Sequence, residues 1–132
     1  GLLEHGSSVG GQQVSSAYTA RGRVRQIMQR TFQQVDVLLC PSAAGPAPSL
    51  EEFPPQMELP AEVVGAVVLY QAPFNFSGSP TISLPMGFAA SGLPLSLQLV
   101  GRHCEEALLV QIASAYERAT EWHRQIAPGA QL

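Results

Sequence analysis

Lysine is missing altogether: the seven basic residues of this 132-residue chain are all arginines. No lysine amine is present to act as a general base for a nucleophile. Charge of either sign is scarce, at 13% of residues against about 25% in ordinary soluble domains. A small domain standing alone has much surface for its volume and needs charges to cover it. The shortfall therefore implies a surface covered by something else, either more of the same polypeptide or a second copy in a homo-oligomer. Net charge is −3 without any basic run, and Arg21, Arg23, Arg25 and Arg30 fall in one predicted helix. That distribution excludes nucleic-acid binding through a phosphate-tracking surface. The two cysteines, Cys40 and Cys104, form no metal spacing, redox motif or disulfide framework. Cys40 ends an apolar run and reads as a buried thiol. The longest wholly apolar run, about Ala66 to Leu69, is far too short to span a bilayer. No signal-peptide pattern is visible, and a cytoplasmic location is expected. The chain opens on Gly1 rather than Met, as expected of a processed, truncated or excised segment.

What is present reads as alternating helices and strands. Residues 1–14 form a Gly/Ser-rich lead-in. From about Gln12 to Gln34, Val14, Tyr18, Val24, Met28, Phe32 and Val35 recur at helical spacing, with Ser15 or Ser16 as a candidate cap. Val37-Leu38-Leu39-Cys40, stopped by Pro41, reads as a strand buried on both faces, as in parallel or mixed sheets. Six prolines between Pro41 and Pro60 make a restricted loop, and residues 61–72 read as a helix. Pro73 suits the opening of a short helical turn, and Gly78 suits a left-handed end to it. Thr81–Leu84, continued by Gly87-Phe88, and Leu95–Val100 alternate as two neighbouring strands around a turn at Ser91-Gly92. A last helix spans about Glu105 to His123, with Leu108, Ile112, Ala115, Tyr116 and Ala119 as its apolar face and Glu105 and Glu106 at its positive end. Residues 128–132 form a tail. The order implies an α/β fold, a partial mixed sheet with flanking helices that belongs to a larger whole.

The candidate chemistry is sparse. Ser7-Ser8 sits in a Gly/Ser-rich segment, but a serine hydroxyl needs a base to become a nucleophile, and a linker is the preferred reading. His5 beside Ser7 lacks the rigid support that a site requires. Asp36 is the only aspartate and His5, His103 and His123 are the only histidines. No Gly-x-Ser-x-Gly elbow accompanies them, so a Ser–His–Asp triad is not expected. His103 reads as part of a surface turn, and His123 as a partner of its helix's negative end. No pair has metal-ligand spacing, so neither a metal nor another cofactor is expected. Arg21 and Arg25 fall inside the apolar stripe of the first helix, where a guanidinium must be paired or reach water. A structural ion pair or bonds to strand-end carbonyls is the preferred role, with recognition of a substrate carboxylate as the alternative. In the Pro73–Gly78 turn, Asn75 can bond to backbone while Phe74 and Phe76 offer apolar contact. A purely structural role for these three is equally compatible with the pattern.

Several segments carry a resemblance in order and spacing: Asp36-Val37-Leu38-Leu39-Cys40-Pro41, Pro73-Phe74-Asn75 with Gly78 and Pro80, and Ser83-Leu84-Pro85-Met86-Gly87-Phe88. Gly92-Leu93-Pro94, Leu97-Gln98-Leu99-Val100-Gly101, Ala115-Tyr116-Glu117 and Trp122-His123 follow. Over residues 15–127 the chain resembles the C-terminal portion of the amidase signature family, serine hydrolases that cleave amide C–N bonds. The resemblance implies that the catalytic Ser–Ser–Lys set lies in an absent N-terminal half. That half would be this chain's partner, and a small-molecule amide would be the substrate of the whole. Arg25 matches a recurrent family arginine, whereas Arg21 falls where a small residue is more common. The turn packs beside the catalytic region in the family, which makes Tyr70, Gln71, Phe74 and Asn75 the candidate pocket residues.

The sequence also departs from the family pattern. Met86 and Ser96 replace residues that are commonly Cys and Gly. Glutamine-using subunits of tRNA-dependent amidotransferases tend to carry an aspartate seven residues before the asparagine, where this chain has Val68. That departure favours a less polar amide than glutamine. The expectation is thus a non-catalytic C-terminal fragment of an amidase-signature hydrolase. The alternatives are a fragment of an amidotransferase A subunit, or a stand-alone domain serving binding or assembly.

Overall fold

A computed structural model describes residues 6–49 and 68–126; the helix expected over 61–72 lies mostly outside them. The described residues form a three-stranded antiparallel sheet with helices packed around it. Helix α1 (Gly11–Thr31) leads to strand β1 (Leu38–Pro41). After the short helix α2 (Ala72–Ser77) come β2 (Thr81–Phe88), β3 (Pro94–Val100), helix α3 (Glu106–Ala119) and a 3₁₀ turn at Trp122–Arg124. The strand order is β1-β3-β2. Leu39 stands opposite Leu99, and Leu84 opposite Leu97. The α/β class and the pairing of β2 with β3 agree with the sequence pattern.

Period-two alternation sorts the two long strands into faces. Leu84, Leu97 and Leu99 turn to one side, where Leu109 and Ala113 of α3 close a small core flanked by Val37, Ile82, Ile112 and Tyr116. Tyr116 Oη donates to the Pro85 carbonyl at 3.0 Å. The register slips between Pro85 and Gly87, so β2 bends there, and Gly87 (φ 128°) lets the Trp122 ring lie against the strand. Trp122 meets Phe88 edge-on, with ring centroids 6.2 Å apart.

Four sequence readings change. Among the described residues β1 is an edge strand rather than one buried on both faces: α3 packs over β2 and β3, which leaves Leu39 68% exposed and Cys40 half-buried. α1 starts one residue after Gly10, not at Ser15 or Ser16, because the Gln13 side chain folds back to accept the Gly10 N–H at 2.8 Å. α3 stops at Ala119, where Thr120 turns extended, so His123 belongs to the separate 3₁₀ turn. Its buried face is centred on Leu109 and Ala113, while Ala115 and Ala119 point outward.

The stripe on α1 behaves differently again. Of its members only Phe32, just past the helix end, is buried; no residue within α1 is. Among the described residues, α1 has chiefly the six-residue α2 to pack against.

Candidate functional site

The site is built around α2. Pro73 lies in its first turn, where a missing N–H leaves no bond unmade, and Gly78 ends it in the left-handed region (φ 77°). The Gly78 and Ser79 N–H groups both return to the Phe74 carbonyl, at 2.8 and 3.1 Å. The last carbonyls of a helix have no partner within it. Here α1 supplies partners for the last two: Arg21 Nε donates to Phe76 O at 2.8 Å, and Arg25 Nε to Ser77 O at 2.9 Å. The two arginines thus meet helix-end carbonyls rather than strand ends. His103, in an exposed turn, brings its Nε2 within 3.3 Å of Arg25 Nη2 and 3.4 Å of Ser77 O. Ser77 is buried, and its hydroxyl donates to Phe74 O and lies 2.8 Å from Ser79 Oγ.

On the other side of α2 a polar cavity of about 250 Å³ is lined by Gln71, Phe74, Asn75, Thr81, Ser83 and Gln98. Gln98 forms its floor. It is buried in the middle of β3, on the face opposite the leucine core, where its Nε2 donates to the carbonyls of Pro41 (3.1 Å) and Tyr70. Gln71 Nε2 donates to Ser42 O at 3.2 Å, and Ser42 Oγ to Ser83 Oγ at 3.2 Å. These bonds join three segments distant in sequence: the end of β1, the residues leading into α2, and the centre of the sheet. Of the four pocket candidates, Gln71, Phe74 and Asn75 line this cavity, whereas Tyr70 is not among the lining residues and meets Gln98 through its main-chain carbonyl. Sequence reasoning missed Gln98, Ser83 and Thr81. The signal for Gln98 was a single amide interrupting a strand of leucines.

A second cluster holds the far end of α1. Arg102 donates through Nε and Nη2 to Phe32 O, through Nη2 to Val35 O and Asp36, and through Nη1 to Glu105. The hydrogen bond to Asp36, then that to Glu105, raises the guanidinium above its ordinary value. The guanidinium carbon also lies 6.0 Å from the Phe32 ring centroid. Between this cluster and α2 is an open pocket of about 550 Å³ bordered by Arg25, Met28, Phe32, Ser77 and His103.

The arrangement offers amide and hydroxyl groups that can both donate and accept, which suits a bound amide. No histidine is among the residues lining the cavity. The chain holds no lysine. His103 meets Arg25 and Ser77 O while Asp36 meets Arg102, so the two do not form a relay. His5 lies outside the described residues. Among the described residues, no group of three or more His, Cys, Asp or Glu is placed to hold a metal ion. No helix among them is long and apolar enough to cross a membrane.

A three-stranded sheet with flanking helices, with an amide-lined cavity beside α2, is what the described residues present. A family model described as Amidase matches residues 3–110. The chain belongs to the amidase signature family. It is 41% identical over 112 residues to the A subunit of the glutamyl-tRNA(Gln) amidotransferase of Myxococcus xanthus, covering 85% of this chain and 22% of that protein. It is also 41% identical over 101 residues to the provisionally named amidase AmiD of Mycobacterium bovis, covering 76% and 21%. Among solved structures, an amidase superposes with a TM-score of 0.74 at 27% identity, over 89% of this chain and 27% of that one. The 6-aminohexanoate cyclic dimer hydrolase bound to its substrate gives 0.73 at 25% identity, over 93% and 27%. The chain therefore spans about a fifth of the length of these curated relatives.

Proposed function

We propose that this chain is the C-terminal part of an amidase-signature hydrolase, non-catalytic by itself, that supplies one wall of the substrate site. The catalytic Ser–Ser–Lys set belongs, in this reading, to the N-terminal half of the same enzyme. The observation that carries it is the cavity of Gln71, Phe74, Asn75 and Gln98, amide and apolar groups gathered where α2 meets the sheet, in a chain without lysine. A serine attacks the amide carbonyl as lysine takes its proton. The C–N bond breaks, the second serine relays that proton to the departing amine, and water then hydrolyses the acyl-enzyme to the acid and free serine. This chain's part is to orient the amide. The free thiols of Cys40 and Cys104 fit a reducing compartment, and we place the enzyme in the cytoplasm.

The test is amide hydrolysis by the full-length gene product and by residues 1–132 alone. The full-length enzyme is expected to turn over apolar amides. Loss of one hydrogen bond in Asn75→Ala should lower its kcat/KM about 2- to 10-fold. The isolated chain should show no activity above background; turnover abolished by Ser7→Ala or Ser8→Ala would refute the reading.

A second reading, an amidotransferase A subunit, has behind it the same 41% identity, to the Myxococcus xanthus protein, that the amidase reading has to the Mycobacterium bovis one. Release of ammonia from glutamine by the full-length protein in preference to apolar amides would select it. A native species of 14.0 kDa would instead point to a stand-alone binding or assembly domain.

A further inference from the structure

Two guanidinium groups and an imidazole converge on one glycine at the end of α2. A Cβ built on Gly78 would meet the His103 ring at 3.4 Å and Arg21 Nη2 at 3.7 Å, while Arg25 reaches both the preceding Ser77 carbonyl and His103. Among the described residues no carboxylate balances these two arginines: the ion pairs join Arg102 to Asp36 and Glu105, and Arg124 to Glu121. A guanidinium carries five N–H donors. Arg25 spends Nε on Ser77 O and turns Nη2 to His103 Nε2, so three of its N–H groups meet no acceptor among the described residues. Because a guanidinium cannot accept, the contact with His103 is a hydrogen bond when Nε2 is the acceptor. The ring's own N–H then sits on Nδ1 as a further donor.

Arg25 and His103 border the open pocket of about 550 Å³. α1 adds Gln29, one turn beyond Arg25, and Phe32 at its end lies with Met28 on the same side. The other charged groups on the wall, Arg102 and Glu105, pair with each other at 3.2 Å, so Arg25 sets the sign of the pocket. We infer that this pocket binds a small organic oxyanion, a carboxylate or a phosphate ester, with the Arg25 fork on its anionic head and Met28 and Phe32 against its apolar body. Arginine takes such heads through paired N–H bonds. The volume and the two apolar side chains suit a ligand with a carbon body better than a bare inorganic ion. The pocket lies across α2 from the Gln71–Gln98 cavity, so the site is additional to the wall proposed for the amide and does not depend on the hydrolase reading.

The test is calorimetric titration of the full-length protein at low salt with benzoate, phenyl phosphate and the uncharged benzyl alcohol. At least one of the two anions is expected to bind, more weakly as salt is added, and the alcohol not to bind. Arg25→Gln should raise the anion's Kd about 10- to 100-fold. That variant also loses the bond to Ser77 O, so a second pair keeps the test decisive should it not fold. Gln29 is exposed on the pocket wall; Gln29→Lys should tighten and Gln29→Glu weaken anion binding, each about 2- to 5-fold. Binding of neither anion, equal binding of the alcohol, or parental affinity in both Gln29 variants would overturn the site. The source of the oxyanion is read from amide hydrolysis by Gln29→Glu. A KM raised only for amides that carry a carboxylate assigns the oxyanion to the substrate, and a KM unchanged for all amides assigns it to a separate ligand. A protein that binds the anions but hydrolyses no amide sinks the hydrolase reading and leaves the site standing.

Discussion

Replacing Gly101 with alanine puts a methyl group into a core that has no room for it. A Cβ built on Gly101 lies 3.1 Å from Cγ of Leu109 and 3.3 Å from both its Cδ atoms, so the whole isobutyl group has to yield by a few tenths of an ångström. Leu109 is 2% exposed and enclosed by Leu84, Leu97, Leu99 and Ala113; it cannot retreat without shifting α3 on the sheet. Overpacking of this kind costs about 1–3 kcal/mol. Gly101 does not use the left-handed backbone that only glycine favours, so alanine also recovers about 0.4–1 kcal/mol by restricting the unfolded chain. The net expectation is a loss of about 0–2.6 kcal/mol. Leu109→Ala, which leaves a cavity, should cost about 2–5 kcal/mol. The informative comparison is the double variant, because the truncated side chain makes space for the new methyl. Its loss should fall short of the sum of the single losses by at least about 0.5 kcal/mol. Denaturant titration of the four full-length proteins measures this. A stabilising Gly101→Ala, or strictly additive losses, would refute the packing argument.

Two further outcomes follow from particular atoms. Gly78→Ala forces a side chain into the left-handed region (φ 77°) and against the His103 ring at 3.4 Å, so it should destabilise by about 1–2 kcal/mol; Gly78→Asn, which tolerates that backbone better, should lose less in the same thermal unfolding assay. Burial raises the Cys40 thiol above its ordinary 9.0, partly opposed by a hydrogen bond with Gln98. The unfolded thiol therefore ionises first: its contribution to stability is complete below about pH 9 and declines as pH rises toward the folded value. Unfolding free energies measured on either side of pH 9 should fall less steeply for Cys40→Ala than for the parent, and parallel curves would exclude the effect.

Local chemistry made much of the fold legible. Pro73 and Gly78 marked the two ends of α2 because each narrows the backbone to one kind of position. Thr81–Leu84 and Leu95–Val100 alternated, and a short turn joined them, so their pairing needed no long-range knowledge. β1 was misjudged because an apolar run looks the same whether it is covered on two faces or awaits a cover on one. The face of α3 was set one residue away from its expected centre, since Leu108 and Leu109 offer equivalent bulk and only docking on Leu97 and Leu99 chooses between them. At the candidate site, Gln71, Phe74 and Asn75 could be named from their place in one turn. Gln98 could not, because its role depends on carbonyls from Pro41 and Tyr70, far away along the chain.

By itself the sequence determined the family, the alternation of helices and strands, and the absence of a lysine base, since each is a property of residue identity and near-neighbour spacing. Only the tertiary structure decided that β3 lies between β1 and β2, that Arg21 and Arg25 close the end of α2, and that an amide-lined cavity opens beside it. Those outcomes depend on which distant donors and acceptors, or apolar faces, reach each other once the backbone has folded.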